Sequence, residues 1–392
     1  MKSSLKIHLI ILLFTLPFLI KAQGFVGQDS TNRVITSAVP FLSITPDARS
    51  GGMGDTGGAI SPDVNSIYWN PAKLAFIETQ SGMGISYTPW LGKLVNDMFI
   101  TYLSGYYKIT REQAVGISMR YFDLGEFFRR DELGNPQGEF NPREFSFDGT
   151  YSRMLSENLG VGVVLRYVHS NLTGSFTSGT VDARPGSSAA ADFSVYYTKD
   201  IISSGKNSNI SLGGTISNIG GKLTYSDEAN KDFLPANLRL ASAYTTNFDP
   251  FNKITFALDL NKLLVPSPPI YDINGVLVAG NDPDRSMLSG VFGSFTDAPN
   301  GFSEEIQEFM LAMGAEYWYN DSFAARAGYF TEHRTKGNRK YITMGLGFRY
   351  QMFGIDFAYL VPREQEHPLA ETMRFSLIFN FEEKAEEESV TN

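Results

Sequence analysis

Residues 341–350 read YITMGLGFRY and alternate without a fault. Ile342, Met344, Leu346, Phe348 and Tyr350 fall on one side, and Thr343, Gly345, Gly347 and Arg349 on the other. A period of two is the mark of a strand with one apolar face. AVGISMRY (114–121) and MRFSLIFNF (373–381) repeat it, and similar segments start near residues 82, 98, 145, 159, 188, 209, 237, 254, 309, 322 and 353. Together they make about fourteen strands, an even number within the range of outer-membrane barrels. Short connections such as 156–158, 319–321 and 351–352 alternate with long ones such as 123–144, 171–187, 219–236 and 261–308. Short periplasmic turns alternating with longer outer loops are how such barrels are built. The expectation is an all-β, antiparallel, transmembrane β-barrel of about 14 strands with both termini on the periplasmic side.

Six arginines, Arg120, Arg166, Arg239, Arg326, Arg349 and Arg374, read as mid-strand residues on the non-apolar face. An arginine facing lipid at the bilayer midplane would cost about 2–4 kcal/mol, so these are expected to point into the lumen. Glu316, Asp356, Asp259 and Asp192 share that face and can pair with them. A charged filling that holds the barrel together and a substrate path lined by arginine are both open on this pattern.

The chain ends add to the picture. Lys2 and Lys6 precede an apolar run from Leu9 to Ile20, with Ala22 at a plausible cleavage point. That run suits a secretory signal and is too short to span a bilayer as a helix, so residues 1–22 are assigned to an export signal. Residues 23–81 precede the first strand, 82–381 carry the barrel pattern, and 382–392 form an acidic tail, expected to lie in the periplasm behind the terminal aromatic Phe381.

Composition agrees with a surface that meets lipid: 37 Gly, 30 Phe and 19 Tyr, with only 19% charged residues. With no cysteine, disulfides and thiolate metal sites are excluded. A net charge of −9 argues against a nucleic-acid partner. His169, His333 and His367 show no metal-ligand spacing, no G-x-S-x-G elbow occurs, and NDPD (281–284) lacks the spacing of a calcium loop, so no cofactor, metal or catalytic residue is assigned.

One stretch stands apart. SGGMGDTGG (50–58) is glycine-rich like a phosphate loop, but Gly58 and Ala59 stand where lysine and a hydroxyl residue are required. The better reading is backbone packed against backbone. Gly51, Gly52, Gly54, Asp55, Asn65, Tyr68, Trp69, Asn70 and Pro71 are then expected to build a hatch or plug inside the barrel. Ser61 is expected to cap a short helix with Pro62 at its first position, and Asn70-Pro71 to mark a turn before the wall.

With TSAVPFLSITPDARSGGMGDTGGA, DVNSIYWNPAKLA and MRYFDLGEF, residues 36–125 strongly resemble the PorV family, an outer-membrane component of the type IX secretion system in Bacteroidota. NKLLVPSPP (261–269) and GVFGSFTDAPNGFSEEIQEF (290–309) look like further family segments. WNPA (69–72) alone is also similar to the hatch of FadL-type fatty-acid transporters. The resemblance implies a FadL-like fourteen-stranded barrel without enzymatic activity in the outer membrane. The implied partners are the translocon barrel SprA (Sov), cargo with the carboxy-terminal signal domain, and the sortase complex containing PorU. Phe127, Phe128 and Phe140 in the 123–144 loop are candidate partner anchors, or else pack on their own barrel. The alternative is a FadL-like transporter of hydrophobic small molecules, with lipid around or inside the wall.

Overall fold

The computed structural model describes residues 32–381, apart from 93–96, 131–132, 173, 175, 179–180, 227–230 and 364–371. The expected signal segment (1–22) and acidic tail (382–392) lie outside the described residues.

Fourteen antiparallel strands close into one barrel: β1 (Ser81–Pro89), β2 (Phe99–Lys108), β3 (Gln113–Asp123), β4 (Arg143–Met154), β5 (Leu159–Asn171), β6 (Gly186–Ser203), β7 (Lys206–Gly220), β8 (Asn237–Asp249), β9 (Asn252–Leu263), β10 (Phe309–Tyr319), β11 (Phe323–Thr331), β12 (Lys340–Tyr350), β13 (Phe353–Pro362) and β14 (Met373–Phe381). Each pairs with its sequence neighbours, and β1 closes on β14 in a register running from Ser81↔Phe381 to Tyr87↔Phe375. The connections alternate as expected, the short ones being 109–112, 155–158, 204–205, 250–251, 320–322 and 351–352. At 204–205, Ser204 and Gly205 both have positive φ (51° and 74°), the form of two-residue turn whose twist matches the flanking strands.

Alternation along each strand separates two environments. On β12, Ile342, Met344 and Leu346 are more than half exposed on the outer face, while Thr343 is fully buried. A wall that shows apolar residues outward and buries polar ones is the inverse of a soluble core and suits lipid. Among the described residues no helix is long and apolar enough to cross a membrane.

Residues 33–80 do not join the wall. The Arg33 N–H donates to Thr335 O and the Ala38 N–H to Phe233 O, both 2.9 Å and both on long connections. Two single-turn helices follow, α1 (Ala48–Gly51) and α2 (Ser66–Trp69), then a 3-10 turn at Pro71–Phe76. The segment ends where Lys108, at the short-turn end of β2, donates to Ile77 O at 2.6 Å. The described chain therefore enters from the long-connection end and leaves at the short-turn end. Phe381, paired with Ser81, lies at that same short-turn end, so the segment ahead of β1 itself crosses the barrel.

Two local expectations are also corrected. Ser61 and Pro62 start no helix: Ser61 accepts hydrogen bonds from Arg49 through Oγ (2.6 Å) and its carbonyl (3.1 Å), and α2 begins at Ser66. Nor are all six arginines mid-strand: Arg239 is the third residue of β8, Arg349 the penultimate of β12 and Arg374 the second of β14.

Candidate functional site: a filled lumen and the loops above it

The glycines of 51–58 let the luminal segment lie on the wall. A Cβ on Gly54, which has φ +71, would sit 2.5 Å from Tyr329 N and 2.7 Å from Met313 O. On the wall side, a Cβ on Gly328 would sit 2.0 Å from Gly54 N, and one on Gly162 would meet Ala72 N at 2.4 Å. Backbone meets backbone on both sides of these contacts, with no phosphate cradle between.

Polar bonds fix the same segment. Asp259 on β9 accepts the N–H groups of Gly57 (3.0 Å) and Gly58 (2.9 Å). The Trp69 indole donates to Asp47 at 2.6 Å, and Asn70 Nδ2 donates to Gly58 O and to Val195 O on β6, both 3.0 Å. Asn70 Oδ1 accepts from the Ala72 N–H at 3.2 Å, so Asn70-Pro71 joins α2 to the 3-10 turn. Asp55 accepts from the Tyr341 hydroxyl on β12 and lies 3.9 Å from Arg374. Asn65 precedes α2 and is buried, while Tyr68 packs edge-on against Trp69 at 4.9 Å.

The wall charges meet partners inside. Arg326 donates to Glu316 (2.7 Å) and Asp356 (2.8 Å), and Arg349 donates to Asp356 at 2.7 Å. Glu316 also takes two bonds from Arg49 of α1 (2.9 and 2.8 Å), and Arg49 reaches Asp63 at 2.9 Å. Charge thus alternates in sign along Asp63, Arg49, Glu316, Arg326, Asp356 and Arg349, tying the segment to β10, β11, β12 and β13. Arg166 lies between Asp148 (2.7 Å) and Asp192 (3.0 Å). Arg239 donates to Trp69 O at 3.0 Å with its guanidinium 4.5 Å above the Trp69 ring. Arg120 donates to Phe41 O (3.0 Å) and Leu42 O (2.9 Å) and lies 4.5 Å above Tyr68. Arg49 was missed by the sequence reading because it belongs to no strand.

The lumen holds a cavity of about 100 Å³, lined by Tyr68, Trp69, Asp55, Arg239, Arg339 and Tyr341 among others. Sites for drug-sized ligands run roughly 300–1,000 Å³, so this space takes water or a very small solute. Among the described residues no group of three metal-ligating side chains occurs.

Above the filled lumen stand the long connections. In the 124–142 loop, Phe127 faces Phe140 across a two-stranded hairpin; Phe127 and Phe128 are more than half exposed and Phe140 is half-buried. The longest connection, 264–308, carries α3 (Met287–Gly293) and α4 (Phe302–Gln307) and was not singled out for its geometry. Four of its large apolar residues point out: Leu288, Phe292, Phe302 and Ile306 are all more than half exposed. Three of its carboxylates point in. Glu304, Glu305 and Glu308 are buried, and burial alone would raise the Glu304 carboxyl, but bonds from Arg33 and Lys336 outweigh it and hold the group at about 2.

The family model of the type IX secretion system protein PorV matches residues 27–270. The chain belongs to the PorV family. It is thus a type IX secretion component whose closed barrel fits the outer membrane. No curated protein sequence matches it. Among solved structures, the Ralstonia pickettii toluene transporter TbuX is 14% identical, with 87% of this chain and 99% of that one covered and a TM-score of 0.47. A Pseudomonas aeruginosa FadL homologue is 11% identical over 89% and 100% (TM-score 0.46), and the P. putida toluene transporter TodX 11% over 88% and 100% (TM-score 0.49).

Proposed function

We propose that the protein works without catalysis, from its outer loops. It binds the SprA (Sov) translocon barrel, receives cargo bearing the carboxy-terminal signal domain, and passes it to the PorU attachment complex. Residues 1–22 would direct export, the short turns would face the periplasm, and residues 33–80 would serve as the plug. The observation that carries this reading is the contrast between the lumen and the loops above it. The interior is filled by backbone contact and paired charge, whereas exposed aromatics stand on the loops above it. A transporter needs a continuous apolar path, and the cavity inside is small, with charged Asp55, Arg166, Asp192, Arg239 and Arg339 set among its apolar lining residues.

The test is gentle extraction of a carboxy-terminally tagged chain from its native outer membrane, with mass spectrometry of what co-purifies. The expected result is a very large barrel protein and signal-domain cargo, both lost in F127A/F128A/F140A while insertion is retained. A lone barrel carrying fatty acids or other lipids would replace this reading with that of a transporter.

A further inference from the structure

The helix α4 is folded inside out. Phe302 and Ile306, four residues apart, form an apolar face that points to solvent at 79% and 55% exposure, while Glu304, Glu305 and Glu308 are buried. An amphipathic helix on a protein surface normally does the opposite. Three buried carboxylates are tolerated because three cations meet them. Arg33 donates to Glu304 at 2.9 Å; Lys336 reaches Glu304 (2.6 Å) and Glu308 (2.9 Å); Lys262 reaches Glu305 (3.1 Å) and Glu308. Ser267 Oγ adds a bond to Glu308, and the Ala298 N–H one of 2.8 Å to Glu305.

The cations come from three places. Lys262 is on β9 and Lys336 on the β11–β12 connection, so both belong to the barrel rim. Arg33 is the first residue of the luminal segment, and its N–H is also held by Thr335 O. The cluster therefore clamps loop, rim and plug together at one point. Between clamp and plug, Val39 has φ +45, a left-handed conformation that a β-branched residue keeps only where its surroundings hold it.

We propose that α4 is a latch: its carboxylates hold the head of the luminal segment against the barrel rim, and breaking that hold frees the segment while the barrel stays closed. The latch does not depend on the proposed function, since it is measured on the isolated chain.

The chain has no cysteine, so one introduced thiol reports alone. Thr45→Cys places it on the buried luminal segment against the cavity. The full chain is reconstituted in lipid vesicles and its reaction with a water-soluble maleimide is timed, with and without E304Q/E308Q. Removing one side of a buried ion-pair cluster leaves uncompensated charge, so labelling is expected to quicken by roughly tenfold or more. R33A supplies an independent variant that leaves the loop and wall sequence intact, and the same acceleration is expected. Heat-modifiable migration reports an intact barrel in each case. Unchanged labelling in R33A with the barrel intact overturns the proposal. So does unchanged labelling in E304Q/E308Q while the 264–308 loop becomes protease-sensitive, because the loop would then open without moving the plug.

Discussion

Glycine in this chain carries meaning by position. Gly328 lies against Gly54, and a methyl group there would stand 2.0 Å from one backbone atom and 2.1 Å from another, neither of which can swing aside. Gly149, on β4, has nothing within 4 Å of the same construction. Gly328→Ala must therefore push the luminal segment off β11, at an overpacking cost of about 1–3 kcal/mol, while Gly149→Ala is expected to be silent. Thermal unfolding of the two variants in detergent decides this, and equal melting temperatures would mean that the segment is not seated on β11 as described. The same contrast explains why the glycine-rich stretch reads as packing while its partner does not: the sequence lacks the lysine and hydroxyl of a phosphate loop, whereas the strand that demands Gly54 is more than 250 residues away and shows only in three dimensions.

Elements differ in how far the chain announces them. The strands were legible because each separates lipid from lumen, and that boundary forces a period of two; only their ends moved, as where β6 runs from 186 to 203 rather than from 188. The luminal segment was not legible in detail. It is surrounded by wall on every side, so no periodic face develops, and α1 and α2 are single turns. For α4 the spacing of Phe302 and Ile306 marks an amphipathic helix, but the usual rule points its faces the wrong way. Its stability should depend on pH in a definite direction. The Glu304 carboxyl ordinarily titrates at 4.5 and is held at about 2 in the closed loop, where Arg33 and Lys336 face it beside Glu305 and Glu308. A depressed carboxyl stabilises the closed loop above pH 4.5, and that contribution is lost as pH falls from there towards 2. Pepsin at about pH 3 should cut within 264–308 faster than its own pH dependence allows, and E304Q should remove that excess. The same excess rise in cleavage with falling pH in E304Q as in the parent would show that these pairs do not hold it.

At the scale of the whole molecule, the unusual feature is the path of the chain. It passes down the lumen before building the wall around itself, starting at Arg33 among the long connections and reaching the short turns at Ile77. With the long connections facing outward, as proposed, residues near Arg33 are at the cell surface while Phe381 is on the periplasmic side. Single cysteines resolve this in living cells, since the chain supplies none of its own. Val34 is 46% exposed beside Arg33, Asn274 is exposed at the tip of the longest connection, and Ser204 is exposed in a short turn. An impermeant maleimide should label V34C and N274C on intact cells and S204C only after the outer membrane is permeabilised. Labelling of S204C but not N274C on intact cells would invert the barrel. Labelling of N274C alone would leave the barrel upright and place the head of the luminal segment away from the surface, removing the physical link through which an event on the outer loops reaches the plug.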